Sequence, residues 1–245
     1  MPATPAGHNV PMPKEDHRTR VAAQRRDRMR RRLFESALQV VTRKGPAATS
    51  IDDVIQAAEV SRGTFYKYFE APDQLFDALA LEVANEIILM AEPAVLQSED
   101  AAQRVATGMR LIIHLARSNP EVGGFLVRLG WPEMRKGAVL LDPLQRDLRR
   151  GMRQGRLLAM PMRLAVNIVS MTVLGAVHAM LEMRSPGAFA EQAVESALRA
   201  LGIEGKEALR LATLELPPPQ PVEGGLLGAD SAARALRRRR DAAAR

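Results

Sequence analysis

Apolar positions recur every three or four residues along nearly the whole chain, the spacing that lines one face of an α-helix. Leu33, Phe34, Ala37, Leu38, Val40 and Val41 keep this period from about Arg28 to Lys44, where Gly45 and Pro46 supply a left-handed cap and a stop. Ile51, Val54, Ile55 and Ala58 form the next stripe behind Ser50, an N-cap candidate with Asp53 at capping-box spacing. Ser61 offers another N-cap too soon for two helices separated by a loop, so Thr49 to Phe69 reads as helix-turn-helix. Pro72 and Asp73 then open a long stripe through Leu75, Phe76, Leu79, Val83, Ile87 and Met90, ending near Ala91.

Glu92-Pro93 is expected to break that helix, which places a domain boundary between Glu86 and Glu99. Beyond it the pattern predicts helices over about 100–118, 121–129, 139–155, 162–184 and 189–201, with a short one over 206–214. No run alternates as a strand would. The expected fold class is all-α, with an N-terminal three-helix helix-turn-helix unit and its linking helix (28–91) and a helical C-terminal domain (92–214). A basic extension (1–27) and a Pro/Ala/Arg-rich tail (215–245) read as disordered or flexible, with a short helix expected from Ser231.

Charge changes this picture because it is uneven. Residues 1–70 hold 13 Lys/Arg against 8 Asp/Glu, residues 71–214 hold 16 of each, and residues 215–245 hold 6 against 4. A basic first third beside a neutral body is the electrostatic footprint of a nucleic-acid module attached to a body that leaves the polyanion alone. Arg25, Arg26, Arg28, Arg30, Arg31 and Arg32 lie where they could follow phosphates or could be a solvated lead-in, and Arg237 to Arg240 carry the same two readings. In the helix after Ser61, Phe65 and Phe69 are spaced to pack inward, whereas Arg62, Gly63, Thr64, Tyr66, Lys67 and Tyr68 project elsewhere with no acid among them. Such a face suits the major groove of double-stranded DNA, where cations meet guanine and hydroxyls meet phosphate.

Thr49-Ser50-Ile51 to Ala57-Ala58, followed by Val60-Ser61-Arg62-Gly63-Thr64-Phe65-Tyr66-Lys67-Tyr68-Phe69, resembles the DNA-binding domain of the TetR family of bacterial repressors. The likeness covers about Arg30 to Ala91. It implies that Thr49 and Tyr68 hold phosphates, that Arg62, Thr64, Tyr66 and Lys67 face the groove, and that Ser50, Ser61 and Gly63 belong to the same DNA-binding surface. Two positions depart from the family pattern: Glu59 stands where the family often has Gly, implying a helix-like or strained turn, and Pro72 stands where a phosphate-gripping Lys is common.

The absence of Cys removes disulfides and thiolate chemistry and suits a reducing cytoplasm. No secretory signal is evident, and Leu164 to Met183, the nearest thing to a membrane span, reads as a buried helix because polar residues interrupt it. His114 and His178 read as core or pocket residues, and no catalytic, phosphate-binding or metal-ligand motif is present, so no enzyme activity, cofactor or metal is expected. Met109, His114, Phe125, Trp131, Leu148, Met171 and His178 are the candidate lining of a small-molecule pocket. Ala165, Val169, Gly175, Ala176 and Ala179, with Ala193, Ala197 and Leu201, are small or apolar positions suited to a four-helix contact with a second copy. The resulting expectation is a cytoplasmic, nucleoid-associated homodimeric repressor released from an inverted-repeat operator by an inducer. An architectural DNA-binding protein, an enzyme with a DNA-binding head and an interaction adaptor stay open as alternatives.

Overall fold

The computed structural model describes residues 14–45, 47–129 and 141–228, and among them every regular element is a helix. The head consists of α1 (Lys14–Lys44), α2 (Ile51–Ala57), α3 (Arg62–Phe65) and the linking helix α4 (Pro72–Val95). The body consists of α5 (Ala101–Ser118), α6 (Pro120–Leu129), α7 (Asp142–Arg153), α8 (Met162–Glu182), α9 (Phe189–Ala200) and α10 (Gly205–Thr213).

α5 is the hub of the body. Asp100 caps it through the Ala102 amide, and α4, α6, α7, α8, α9 and α10 all pack around it. One apolar core runs from Leu33 and Phe65 in the head through Leu79 and Met90 on α4 to Leu148, Met180 and Leu198 in the body. At about 25 cal/mol per Å² of apolar surface removed from water, this burial is the main term holding head to body.

Three boundaries differ from the sequence pattern. α1 begins at Lys14, well before Arg28, because the stretch through Ala22, Ala23 and Gln24 favours helix and remains exposed without cost. α4 continues through Pro93 to Val95. A proline in the last turn forgoes only the bond to Leu89, which is itself exposed. The chain after α10 is built onto the molecule as far as Gly228. Leu216 packs on Ala91, Ala94 and Leu111, the Gln220 amide donates to the Met90 carbonyl at 2.9 Å, and the Leu227 amide donates to Glu86 at 3.0 Å. The tail helix expected from Ser231 and Arg237 to Arg240 lies outside the described residues.

α8 is the one described helix with the length and apolar character to cross a bilayer. It packs against α5, α6, α7 and α9 and keeps one open stripe, so it is not buried on every side as its sequence suggests.

Candidate nucleic-acid interface and effector cavity

Capping sets the geometry of the two-helix unit. The Asp53 amide donates to the Ser50 hydroxyl at 3.3 Å and the Ser50 amide donates to the Asp53 carboxylate at 3.1 Å, which closes the capping box of α2. Lys44 Nζ lies 2.6 Å from Asp53, joining the end of α1 to the start of α2. Hydrogen bonds from Lys44 and Ser50 hold the Asp53 carboxyl down at about 2. The turn then reverses at Glu59, whose φ of +50° is the left-handed conformation that glycine adopts freely. Ser61 caps α3 by accepting from the Thr64 amide at 3.0 Å.

α3 is one helical turn, continued by turns to Tyr68, and it is anchored by aromatic packing. Phe65 is fully buried, Phe69 stacks on it with ring centroids 5.7 Å apart, and Phe34 lies 6.0 Å from Phe69. With those rings inward, Ser61, Arg62, Gly63, Tyr66 and Lys67 are exposed and Thr64 and Tyr68 are half-buried. Tyr66 is 46% exposed, unusually open for an aromatic side chain. Ser50 is exposed at the start of α2.

Several of the basic and polar side chains have partners within the chain. Arg62 pairs with Asp52 of α2 at 2.7 Å, and the Thr49 hydroxyl donates to the Gly45 carbonyl at 2.8 Å. Arg30 lies over the rings of Phe34 and Phe69 at 5.7 and 5.4 Å, Arg31 pairs with Glu35 and Arg32 with Glu59, whereas Arg25 and Arg26 are exposed. The Asp52–Arg62 pair escapes a linear reading because its two members lie on different helices.

A cavity of about 70 Å³ lies in the body between α4, α5, α7 and α8. Its wall is mostly apolar, and Ile88, Ala91, Glu92 and Val95 of α4 form part of it. Arg104 and Asp147, both almost fully buried, meet on the wall at 3.2 Å. Arg146 reaches Asp147 at 3.1 Å and Glu92 at 3.0 Å, so an ion pair joins α4 to α7. These contacts raise the Arg146 pKa, the bond to Asp147 first among them.

Of the seven residues assigned to a pocket from sequence, only Met109 lines this cavity. Leu148 is fully buried, and Phe125 packs edge-on against Phe76 of α4 at 6.3 Å. His114 faces Glu191 at 3.5 Å. Met171 and His178 lie on the open stripe of α8, and Trp131 falls outside the described residues. The apolar pattern marks burial without saying which buried side chains border a gap. Arg104 within the α5 stripe and Asp147 beside Leu148 were the available signal, since a charge on an apolar helix face must meet a partner.

The proposed dimer positions divide similarly. Ala165, Val169, Ala176, Ala197 and Leu201 are buried inside the single chain, Ala179 and Ala193 are half-buried, and Gly175 is exposed. The surface left open on α8 is instead Leu164, at 50%, with Asn167, Met171, at 40%, Gly175 and His178. Small residues let helices approach, but α5, α6, α7 and α9 take up that closeness within the chain.

A capped pair of short helices presenting an exposed polar face, fixed to a larger helical body, defines a helix-turn-helix DNA-binding protein. Residues 33–79 match the model for bacterial regulatory proteins of the tetR family, and residues 100–213 match the tetracyclin repressor-like C-terminal domain. The chain therefore belongs to the TetR family of transcriptional regulators, which are not enzymes. It is similar to RolR in complex with resorcinol, at 27% identity and a TM-score of 0.66, over 80% of this chain and 98% of that one. RolR without ligand matches at 25% identity with the same TM-score, over 78% and 100% of the two chains. A TetR family regulator from Shewanella sp. PV-4 shares the fold at 20% identity and a TM-score of 0.61, covering 72% of this chain and 99% of that one. The uncharacterized HTH-type regulator YvdT of Bacillus subtilis (strain 168) is 35% identical over 49 residues, which are 20% of this chain and a quarter of that protein's length.

Proposed function

We propose that the protein is a cytoplasmic, homodimeric repressor that leaves an inverted-repeat operator when a small molecule enters the body. The observation that carries the reading is the exposed face of α3, with Arg62, Gly63, Tyr66 and Lys67 in solvent above the buried Phe65 and Phe69. In this reading Arg62, Thr64, Tyr66 and Lys67 enter the major groove, and Ser50, Ser61 and Tyr68 contact the backbone. Thr49 joins them once its hydroxyl turns away from Gly45. Two copies place two such helices about 34–36 Å apart, one turn of the duplex.

Release requires the body to reorient the head, and α4 is the element able to do so. It begins three residues after Phe69 and ends in the cavity wall. A coupling of about 1–3 kcal/mol lowers operator affinity 5- to 150-fold, within reach of a small helix shift. That RolR was solved with resorcinol supports a small-molecule effector for the related body of this chain.

Selection of bound sequences from random duplexes, followed by titration of the Arg62→Ala variant, tests the assignment. The substitution is expected to cost about 1–3 kcal/mol on the selected site and far less on random DNA. Equal losses on both remove Arg62 from base reading.

A further inference from the structure

One polar atom on the cavity wall is left without a partner. Ser170 of α8 is 5% exposed, its hydroxyl makes no hydrogen bond, and it borders the cavity. A hydroxyl buried in this way is destabilising until something bonds to it, so it marks where a ligand gains by carrying a hydrogen-bonding group.

The charged groups on the wall constrain that ligand further. Arg104 on the wall is paired with Asp147, and the wall carboxylates of Asp147 and Glu92 are both also paired with Arg146, which stands outside the lining. An anionic ligand would meet these two carboxylates, and a cationic one the Arg104 guanidinium beside carboxylates already committed to ion pairs, so neither finds a free counter-charge. Burying an unmatched ion is unfavourable. A neutral hydroxyl avoids that cost, because it both donates and accepts, and carboxylate oxygens keep lone pairs beyond those used in ion pairs. The remaining wall is aliphatic and methionine, so the occupant must also carry apolar surface.

We propose that the effector is a small, neutral, largely apolar molecule bearing a hydroxyl group, with Ser170 as the residue that selects for the hydroxyl. The inference rests on the reading of the body as an effector domain and specifies the chemical class. Binding at this place also bears directly on α4, since Glu92 and Val95 share the wall with Ser170.

Calorimetric titration of the full chain with phenol, toluene and benzoate provides the test. Phenol is expected to bind at least about tenfold more tightly than benzoate. Ser170→Ala is expected to weaken phenol about tenfold while leaving toluene unchanged, because only the hydroxyl contact is lost. Ser170→Thr keeps a hydroxyl and should retain the preference for phenol, whereas a variant that had merely disturbed the core would lose toluene as well. Benzoate binding as tightly as phenol, no binding of phenol, or parallel loss of phenol and toluene in Ser170→Ala would overturn the proposal. DNA release is scored separately: phenol that binds but leaves the DNA complex intact contradicts release by ligand, while the ligand class stands.

Discussion

Glu59 turns the chain between α2 and α3 at φ +50°, in a region where a side chain costs roughly 1 kcal/mol and glycine pays little. Its carboxylate reaches Arg32 at 3.2 Å, but both groups are largely in water, and exposed pairs of this kind contribute little. Glu59→Gly is therefore expected to stabilise the protein by up to about 1 kcal/mol, visible as a higher urea midpoint at unchanged slope. A lowered midpoint would show that the Arg32 pair outweighs the backbone strain. Glu191 gives the residue scale a pH dependence. Burial pushes its carboxyl up, but the hydrogen bond from His114, its own backbone amide and the charge of Arg110 outweigh that and bring it from 4.5 to about 2. A carboxylate depressed in the folded state contributes stability that is complete above pH 4.5 and lost as the pH falls toward 2. Glu191→Gln should flatten the acid limb of the stability curve in that window, measured by denaturant unfolding across pH.

At the scale of elements, the segment after α10 acts as a strap. It crosses α4 through Met90 and Glu86 and reaches α1, where Arg31 donates to the Gly225 carbonyl at 3.3 Å. Glu86 is 5% exposed, and burial raises its pKa against the opposing hydrogen bonds from the Leu227 and Leu226 amides. A Cβ on Gly225 would collide with the Glu86 carboxylate, so glycine is required here for space. Gly225→Ala is expected to cost about 1–3 kcal/mol and to expose the strap to limited proteolysis. Wild-type protease resistance in that variant would mean the strap is not held through Glu86. The sequence offered little sign of this, since a proline- and glycine-rich stretch looks the same whether it hangs free or lies on a partner. Helix ends were more legible. Ser50, Ser61 and Asp100 cap α2, α3 and α5 as their local spacing implies, because capping is decided within three residues.

For the whole molecule, we propose the open stripe of α8, with Leu164 and Met171 exposed, as the contact between two copies. A charge at Met171 is expected to split the dimer in sedimentation experiments. Because two linked heads hold an operator far better than one, Met171→Glu should weaken operator binding about a hundredfold or more while leaving single-site contacts intact. A variant that sediments and binds as the wild type would remove α8 from the interface.

The all-helical class, the head with its inward phenylalanines and outward Arg62, Tyr66 and Lys67, and most helix ends follow from residues within a turn or two of one another. Local spacing, capping and charge were therefore enough to determine them. The cavity, the Asp52–Arg62 pair, the strap on Glu86 and the open side of α8 each bring together residues far apart in the chain or on different helices. Periodicity tells which side of a helix seeks cover, but only the packed fold decides which neighbour covers it and where a gap is left.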